Sequence, residues 1–541
     1  MGSFLKASLS VAAMLPLLCA SQAAAPVSAK GDAQSCTALA GRSVGRNTVV
    51  ESATWMPDGG DVLGTQVDTA FCRIVGVATP TKDSRIGFEV WLPPASRWNG
   101  DFRGEGSGGS AGAISPGPMR EALRAGYATM STDNGHLNDP ANPLGGSAQG
   151  WAYKHPEKMI DWGWRALHLS TVAAKQVVRQ FYGKAAEKNY FVACSAGGHH
   201  ALMEATRFPA DYDGFVAGAA PWKWTSLMFG HTWNSIPALK DPNAVTAQSV
   251  AILNRRMVEA CDKRDGVEDG LIADPRRCTV DPVQFQCSDT AKSDCLTPMQ
   301  VAAARHIYAG PVQSNGNRLQ AGQVRGTELG WVPLMNGPNP GGSSWEFWKL
   351  TAFQNPEFKN VDFDFDKNTD RAMATKVGNS TLPEIYDQKA DLDAFRKRGG
   401  KLILFQGWAD HQITPLMDVD FYNRIVARYG QAATDDFLRF FLLPGMGHCS
   451  GGPGFSRIGG STGAPIKDDP DHDMVKALDR WVRKDEAPSL FIAAQTKDGK
   501  VTATRPVCRH PLEAHYLGRG DSKEAVNFAC RAPEPVPQQP M

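Results

Sequence analysis

Hydrophobic positions along the first 220 residues switch between two periods. Ile86-Gly87-Phe88-Glu89-Val90-Trp91-Leu92 alternates as a strand does, and Tyr127-Ala128-Thr129-Met130 reads as another strand ending near Asp133, preceded by a short helix from Met119 to Ala125. From Ile160 to Tyr182 the apolar residues Leu167, Val172, Val177 and Val178 recur at helical spacing. Tyr190-Phe191-Val192-Ala193 is a short strand, 198–207 a helix, and Phe215-Val216-Ala217-Gly218 a further strand. After residue 388 the rhythm returns: helix Leu392 to Arg398, strand Leu402-Ile403-Leu404-Phe405, helix Leu416 to Tyr429, strand Phe440-Phe441-Leu442-Leu443, helix Asp473 to Arg483. Strands separated by helices of this length predict an α/β fold, a parallel sheet with helices on its faces.

The stretch 222–387 breaks the pattern. It holds four cysteines, an acidic glycine-containing loop and the connection Asn336-Gly337-Pro338-Asn339-Pro340-Gly341-Gly342. It is expected to be an inserted lid domain, which splits the main domain into 24–221 and 388–541. The tail from Pro533 is rich in Pro and Gln and is expected to fray.

The N-terminus adds an address. Lys6, the apolar run Ala7 to Ala20 and the small residues Ser21-Gln22-Ala23-Ala24-Ala25 predict a signal peptide, residues 1–23, and a secreted or periplasmic protein. No later run reaches 18 apolar residues, so no membrane span is expected. Of 11 cysteines, Cys19 leaves with the signal peptide, and an even set of ten in an exported chain reads as five disulfides. Spacing suggests Cys36–Cys72, Cys261–Cys278, Cys287–Cys295 and Cys508–Cys530, which leaves Cys194 with Cys449. In the full 541 residues, Lys+Arg 57 balance Asp+Glu 56, which argues against a nucleic-acid partner. The hydrophobic share of 42% and charged share of 21% argue against disorder.

The segment Tyr190 to Gly198 runs strand, tight turn, helix, with Ala193-Cys194-Ser195-Ala196-Gly197 at the turn. A nucleophilic serine is held this way above a sheet, and small residues two before and two after it let the backbone turn sharply. Chain order supports the reading. The strand 402–405 runs into Gln406-Gly407-Trp408-Ala409-Asp410, and the strand 440–443 into Pro444-Gly445-Met446-Gly447-His448, so an acid and then a histidine follow at later strand ends. His199 and His200 are read as helix-face or pocket residues, since neighbours on a helix point to different faces. If Cys194 and Cys449 pair, the bond ties the residue before Ser195 to the residue after His448. Asn99 to Gly109 is a glycine-rich loop suited to an oxyanion hole; Gly108, with Gly109 as alternative, would supply one N–H and Ala196 the other. A phosphate-binding loop is the weaker reading, because the Lys-Ser/Thr ending is missing.

Cys-Ser-x-Gly-Gly, then Gly-Trp-x-Asp, then Gly-x-x-His-Cys is a series that resembles the tannase/feruloyl esterase family, over most of the mature chain and including the tail from Arg505-Pro506-Val507-Cys508 to Cys530. Its relatives include a bacterial esterase that cleaves mono(2-hydroxyethyl) terephthalate. The resemblance implies an α/β-hydrolase fold with a lid, Ser195 as nucleophile, His448 as base, Asp410 as its partner, and small aromatic esters of feruloyl or galloyl type as substrates. Terephthalate monoesters are the nearest alternative, and a catalytically inactive calcium- or carbohydrate-binding relative is the rival of another class. Two departures stand out: Ala193 where a glycine often precedes Cys-Ser, and His199 where an arginine usually follows Gly-Gly.

Cys261-Asp262-Lys263-Arg264-Asp265-Gly266-Val267-Glu268-Asp269-Gly270-Leu271 crowds carboxylates that a hard cation would relieve. A solvated acidic turn is the plainer alternative. The family resemblance implies a structural calcium held by Asp262, Asp265, Asp269 and the carbonyls of Val267 and Leu271. Trp222, Trp224, Trp233, Trp331, Trp345 and Trp348 give the lid enough aromatic surface to cover a planar acyl group, with at least half expected to be lid core.

Overall fold

The computed structural model describes residues 1–2, 31–56, 60–110, 112–137, 149–288, 293–337, 340–342 and 344–536. The expected signal peptide lies, beyond its first two residues, outside them.

A ten-stranded sheet organises the chain: β1 (Ser43–Gly45), β2 (Thr48–Met56), β3 (Phe71–Ala78), β4 (Ile86–Leu92), β5 (Phe102–Glu105), β6 (Ala128–Thr132), β7 (Asn189–Cys194), β8 (Gly214–Gly218), β9 (Lys401–Gly407) and β10 (Leu438–Leu443), in the order β1-β2-β3-β4-β6-β5-β7-β8-β9-β10. β1 to β4 form an antiparallel meander, and β4 pairs antiparallel with β6. From β6 through β10 every pairing is parallel. The order reverses at β6-β5, and in open sheets of this kind sites form beyond the carboxyl ends of strands near such a reversal.

Parallel strands are buried on both faces and read as continuous apolar runs. Phe191, Phe215, Leu402 and Leu404 face helices α2 (Ala166–Tyr182) and α3 (Ala196–Arg207), packing with Ala174, Val178 and Leu202. Tyr190, Val192, Val216, Ile403 and Phe405 face the other way, onto Met474, Leu478 and Trp481 of α8 (Met474–Lys484). Helices α1 (Pro116–Arg124) and α7 (Pro415–Tyr429) complete the two layers. This is an α/β-hydrolase sheet.

β5 is a correction. Asn99 to Gly109 was expected to be loop throughout, yet Phe102–Glu105 pairs with both β6 and β7. Its glycine is there for packing: a Cβ on Gly104 would lie 2.5 Å from the Tyr212 hydroxyl and 2.8 Å from Phe191. Its charged residues, Arg103 and Glu105, are buried. Both features erase the apolar alternation that marks a strand.

The residues between β8 and β9 form the insertion. Its ends meet: Lys223 bridges Asp387, Gln388 N–H donates to the Trp222 carbonyl at 2.8 Å, and Thr225 donates to the Asp387 carboxylate through both its N–H and its hydroxyl. The long helices α4 (Trp224–Lys240), α5 (Ala247–Cys261) and α6 (Pro298–Ala309) give it a core of its own around Leu253, Met257, Ile307 and Trp331. After α8 come two hairpins, β11 (Leu490–Lys497) with β12 (Lys500–Cys508) and β13 (Glu513–Tyr516) with β14 (Phe528–Arg531). Five disulfides join Cys36–Cys72, Cys194–Cys449, Cys261–Cys278, Cys287–Cys295 and Cys508–Cys530, the pairings expected from spacing. Among the described residues no helix is long and apolar enough to cross a membrane.

Candidate active site

Ser195 stands between β7 and α3 with φ 64° and ψ −127°, a left-handed backbone that costs a non-glycine residue energy and holds its side chain out of the turn. The surroundings are tight. A Cβ on Gly197 would lie 2.7 Å from the Ala193 Cβ and 3.1 Å from the Ser107 carbonyl, and one on Gly198 would lie 2.4 Å from the Gly218 carbonyl. Ala193 in place of a glycine is accommodated because Gly106, not a larger residue, faces it. Ser195 N–H donates to the Gly218 carbonyl at 2.9 Å, anchoring the turn to β8.

His448 Nε2 lies 2.9 Å from Ser195 Oγ, and His448 Nδ1 lies 2.8 Å from Asp410 Oδ2. Asp410 is fully buried, and its other oxygen accepts N–H bonds from Gln412 at 2.8 Å and Ile413 at 3.0 Å. The two loops lock backbone to backbone. Ala409 N–H donates to the Met446 carbonyl, and a Cβ on Gly407 would lie 2.3 Å from that same oxygen. Burial pushes the Asp410 pKa up, but the His448 charge and hydrogen bonds outweigh it and hold the carboxyl below its usual range. For His448 burial pulls the pKa down, and the Asp410 charge and hydrogen bond carry it above the ordinary imidazole value. The pair favours an imidazolium beside a carboxylate, which is what a base that accepts the serine proton must become.

Ser195 and His448 open into a pocket of about 620 Å³, and Asp410 is buried behind them. Gly108 and Gly109 line it beside Ser195, and nothing lies within 4 Å of a Cβ placed on Gly108. Ala196 is the first residue of α3, where an N–H has no carbonyl of its own helix to bond. On the insertion side the wall is Trp224, Leu227 and His231, with Gln412 and Ile413 from the Asp410 loop. Of the six insertion tryptophans, Trp224 is the one lining this pocket; Trp331 and Trp348 are buried core, and Trp233 stacks on His306.

His199 and His200 do not line the pocket. Both are buried, donating to the carbonyls of Pro221 at 2.9 Å and Trp162 at 2.8 Å, and burial drives their pKa values down to about 3 and about 4. His231, which sequence reasoning passed over, does line it. Its Nε2 is 2.7 Å from the Gln412 carbonyl, and burial holds it neutral with a pKa of about 4. Nothing in the helical pattern of α4 distinguishes it.

In the acidic loop, Gly266 and Gly270 take left-handed φ values of 86° and 79°, turning the chain around the carboxylates. Asp262 accepts from the N–H groups of Asp269 and Gly270, at 3.1 and 2.9 Å. Burial, with Asp269 and Asp262 adding, raises Asp265 to about 6. Arg505 of β12 bonds Asp269 at 2.7 Å and approaches Asp265 at 4.0 Å. Val267 and Leu271 are buried in the same turn. The donor chemistry fits a hard divalent cation. Among the described residues the His, Asp and Glu group with ligand atoms within 4.8 Å of one another is a different one, His168, Glu204 and Asp211, already joined by a His168–Asp211 bond of 2.6 Å.

Residues 72–531 match the family described as tannase and feruloyl esterase. The chain is 35% identical over 520 residues to an uncharacterized esterase of Xanthomonas campestris, covering 90% of this chain and 89% of that one. It is 32% identical over 554 residues to the mono(2-hydroxyethyl) terephthalate hydrolase of Piscinibacter sakaiensis, with coverage of 90% and 89%. The crystal structure of feruloyl esterase B from Aspergillus oryzae superimposes with a TM-score of 0.84 at 26% identity, over 92% of this chain and all of that one. With the sheet, the serine turn and this likeness in agreement, the chain belongs to the tannase and feruloyl esterase family and is a carboxylic ester hydrolase.

Proposed function

We propose that Ser195, His448 and Asp410 are the catalytic triad. The observation that carries this reading is the unbroken chain of bonds from Asp410 through His448 to Ser195 at the mouth of the pocket. Ser195 Oγ attacks the ester carbonyl as His448 Nε2 takes its proton, and the buried Asp410 carboxylate orients and stabilises the imidazolium. The N–H groups of Gly108 and Ala196 receive the oxyanion. Collapse expels the alcohol with the proton from His448, and water then repeats the sequence on the acyl-enzyme, regenerating Ser195 and releasing the acid.

The substrate class is esters of hydroxylated aromatic acids. Trp224, Leu227 and Ile413 offer a planar acyl group an apolar wall, while the neutral His231 and the Gln412 backbone give it polar neighbours. The relative in Piscinibacter sakaiensis supports terephthalate monoesters as the second reading. The insertion acts as a lid, since it supplies one wall of the pocket. Asp262, Asp265, Asp269 and the carbonyls of Val267 and Leu271 would hold a structural calcium, which would neutralise carboxylates far in sequence from Ser195. Export through the 1–23 signal peptide suits a protein with five disulfides.

Hydrolysis rates on methyl ferulate, methyl gallate and mono(2-hydroxyethyl) terephthalate test the substrate reading. Either of the first two should give the highest kcat/KM; preference for the third selects the second reading. Stoichiometric labelling of Ser195 by a fluorophosphonate tests the chemistry, and an unlabelled folded protein would return the inactive binding relative.

A further inference from the structure

Part of the pocket lining carries charged side chains that the triad does not use. Arg103 and Glu105 are two apart on β5 and so project to one face of the sheet. Both line the pocket, with Val192, Pro118 and Ser461, continuous with the space in front of Ser195. Their exposures are 7% and 3%. Arg103 Nε and Glu105 Oε1 are 2.5 Å apart, but the N–H does not point along that contact, and neither atom completes a hydrogen bond among the described residues. The Ser461 hydroxyl, from another segment of the same pocket lining, also lacks a partner among them. Burial raises Glu105 to about 8 against the pull of Arg103.

A well-packed apolar pair would hold this strand at least as firmly as a buried ion pair with unfilled bonds. The polarity therefore points to a ligand, and the chemistry of the three groups narrows it. The guanidinium only donates, while the Glu105 carboxyl, protonated below about pH 8, and the serine hydroxyl each donate and accept. An apolar group would leave all three unfilled, and a single hydroxyl would leave a group unfilled. Two adjacent hydroxyls, each donor and acceptor, match donor and acceptor side by side.

We propose that Arg103, Glu105 and Ser461 form a subsite for a vicinal diol of the ester. The diol comes either from a dihydroxyaryl acyl group or from a polyol or sugar on the alcohol side. The subsite rests on Ser195 as nucleophile and is independent of the aromatic preference. A pocket built to bond hydroxyls discriminates strongly against analogues that lack them, because its buried polar groups are then left unpaired.

Two matched pairs of substrates separate the sources: methyl 3,4-dihydroxycinnamate against methyl cinnamate, and 2,3-dihydroxypropyl butyrate against butyl butyrate. The wild-type enzyme is expected to favour the diol member of one pair by about tenfold or more in kcat/KM. That ratio should fall towards parity in Arg103→Met and Glu105→Leu and by several-fold in Ser461→Ala, through KM more than kcat, with Arg103→Lys retaining part of it. Should the β5 variants fail to fold, Ser461→Ala in the short turn Gly460–Thr462 carries the test. Parity for both pairs in the wild type, or a ratio unchanged in folded variants, overturns the subsite. Turnover of the butyrates with none of the cinnamates would overturn the aromatic reading instead, and the butyrate pair alone would then judge the diol.

Discussion

Cys194 and Cys449 are joined across 255 positions of sequence with their Cα atoms 5.9 Å apart, and the residues beside them, Ser195 and His448, stand 2.9 Å from contact atom to contact atom. Each of the two loops has a residue of positive φ at this point, Ser195 at 64° and Cys449 at 62°. One covalent bond thus ties two sharply turned loops beside the contact between Ser195 and His448.

Replacing Cys194 and Cys449 together by alanine should lower kcat more than a stability loss explains. The chain-entropy model assigns such a loop about 5 kcal/mol of stabilisation. Displacement of His448 by about an ångström can by itself cost roughly a hundredfold in rate. The check is kcat measured well below the variant's melting temperature; a folded double variant with the parent kcat would reduce the bond to a staple.

Ser195→Ala should remove esterase activity, by roughly 10⁴-fold or more, while leaving the melting temperature close to the parent. Only the attacking oxygen is lost, and Ser195 N–H keeps its bond to Gly218. Substantial turnover of any good ester by the purified variant would dismiss it as nucleophile.

Activity should rise with pH through the His448 ionisation, since only the neutral ring can take a proton, and the midpoint should lie above the ordinary imidazole value. Asp410→Asn should cut kcat by about 10³–10⁴-fold and move the residual midpoint downward, because the charge that raises His448 is gone. A kcat/KM profile whose midpoint stays in place would show that Asp410 does not set it.

Chelation with EGTA should lower the melting temperature by on the order of 2 °C or more, with elemental analysis finding calcium in the untreated protein. Asp265 has a folded pKa of about 6, above its unfolded value, so without a cation the loop is less stable once pH rises through that range. The gap between calcium-loaded and chelated protein should therefore widen from pH 4 to pH 7. No calcium and no change in melting would leave a solvated acidic turn braced by Arg505.

The sequence by itself determined the parts whose cause is local. Alternating strands and helices around Tyr190 and Leu402, the small residues around Ser195, the order serine, aspartate, histidine at successive strand ends, and the short-range disulfides all leave marks within a few residues of themselves. Tertiary structure alone decided the rest. Periodicity records which side of an element is buried in apolar surroundings, so β5 was illegible: Arg103 and Glu105 line the pocket, and Gly104 makes room for Tyr212. Which tryptophan reaches the pocket depended on how the insertion docks, and it is Trp224 rather than Trp331 or Trp348. The bond from Arg505 to Asp269 spans 236 positions, and no spacing rule links a hairpin near the C-terminus to a loop in the insertion. Contacts of that length are fixed by the packing of whole layers, which the chain encodes only collectively.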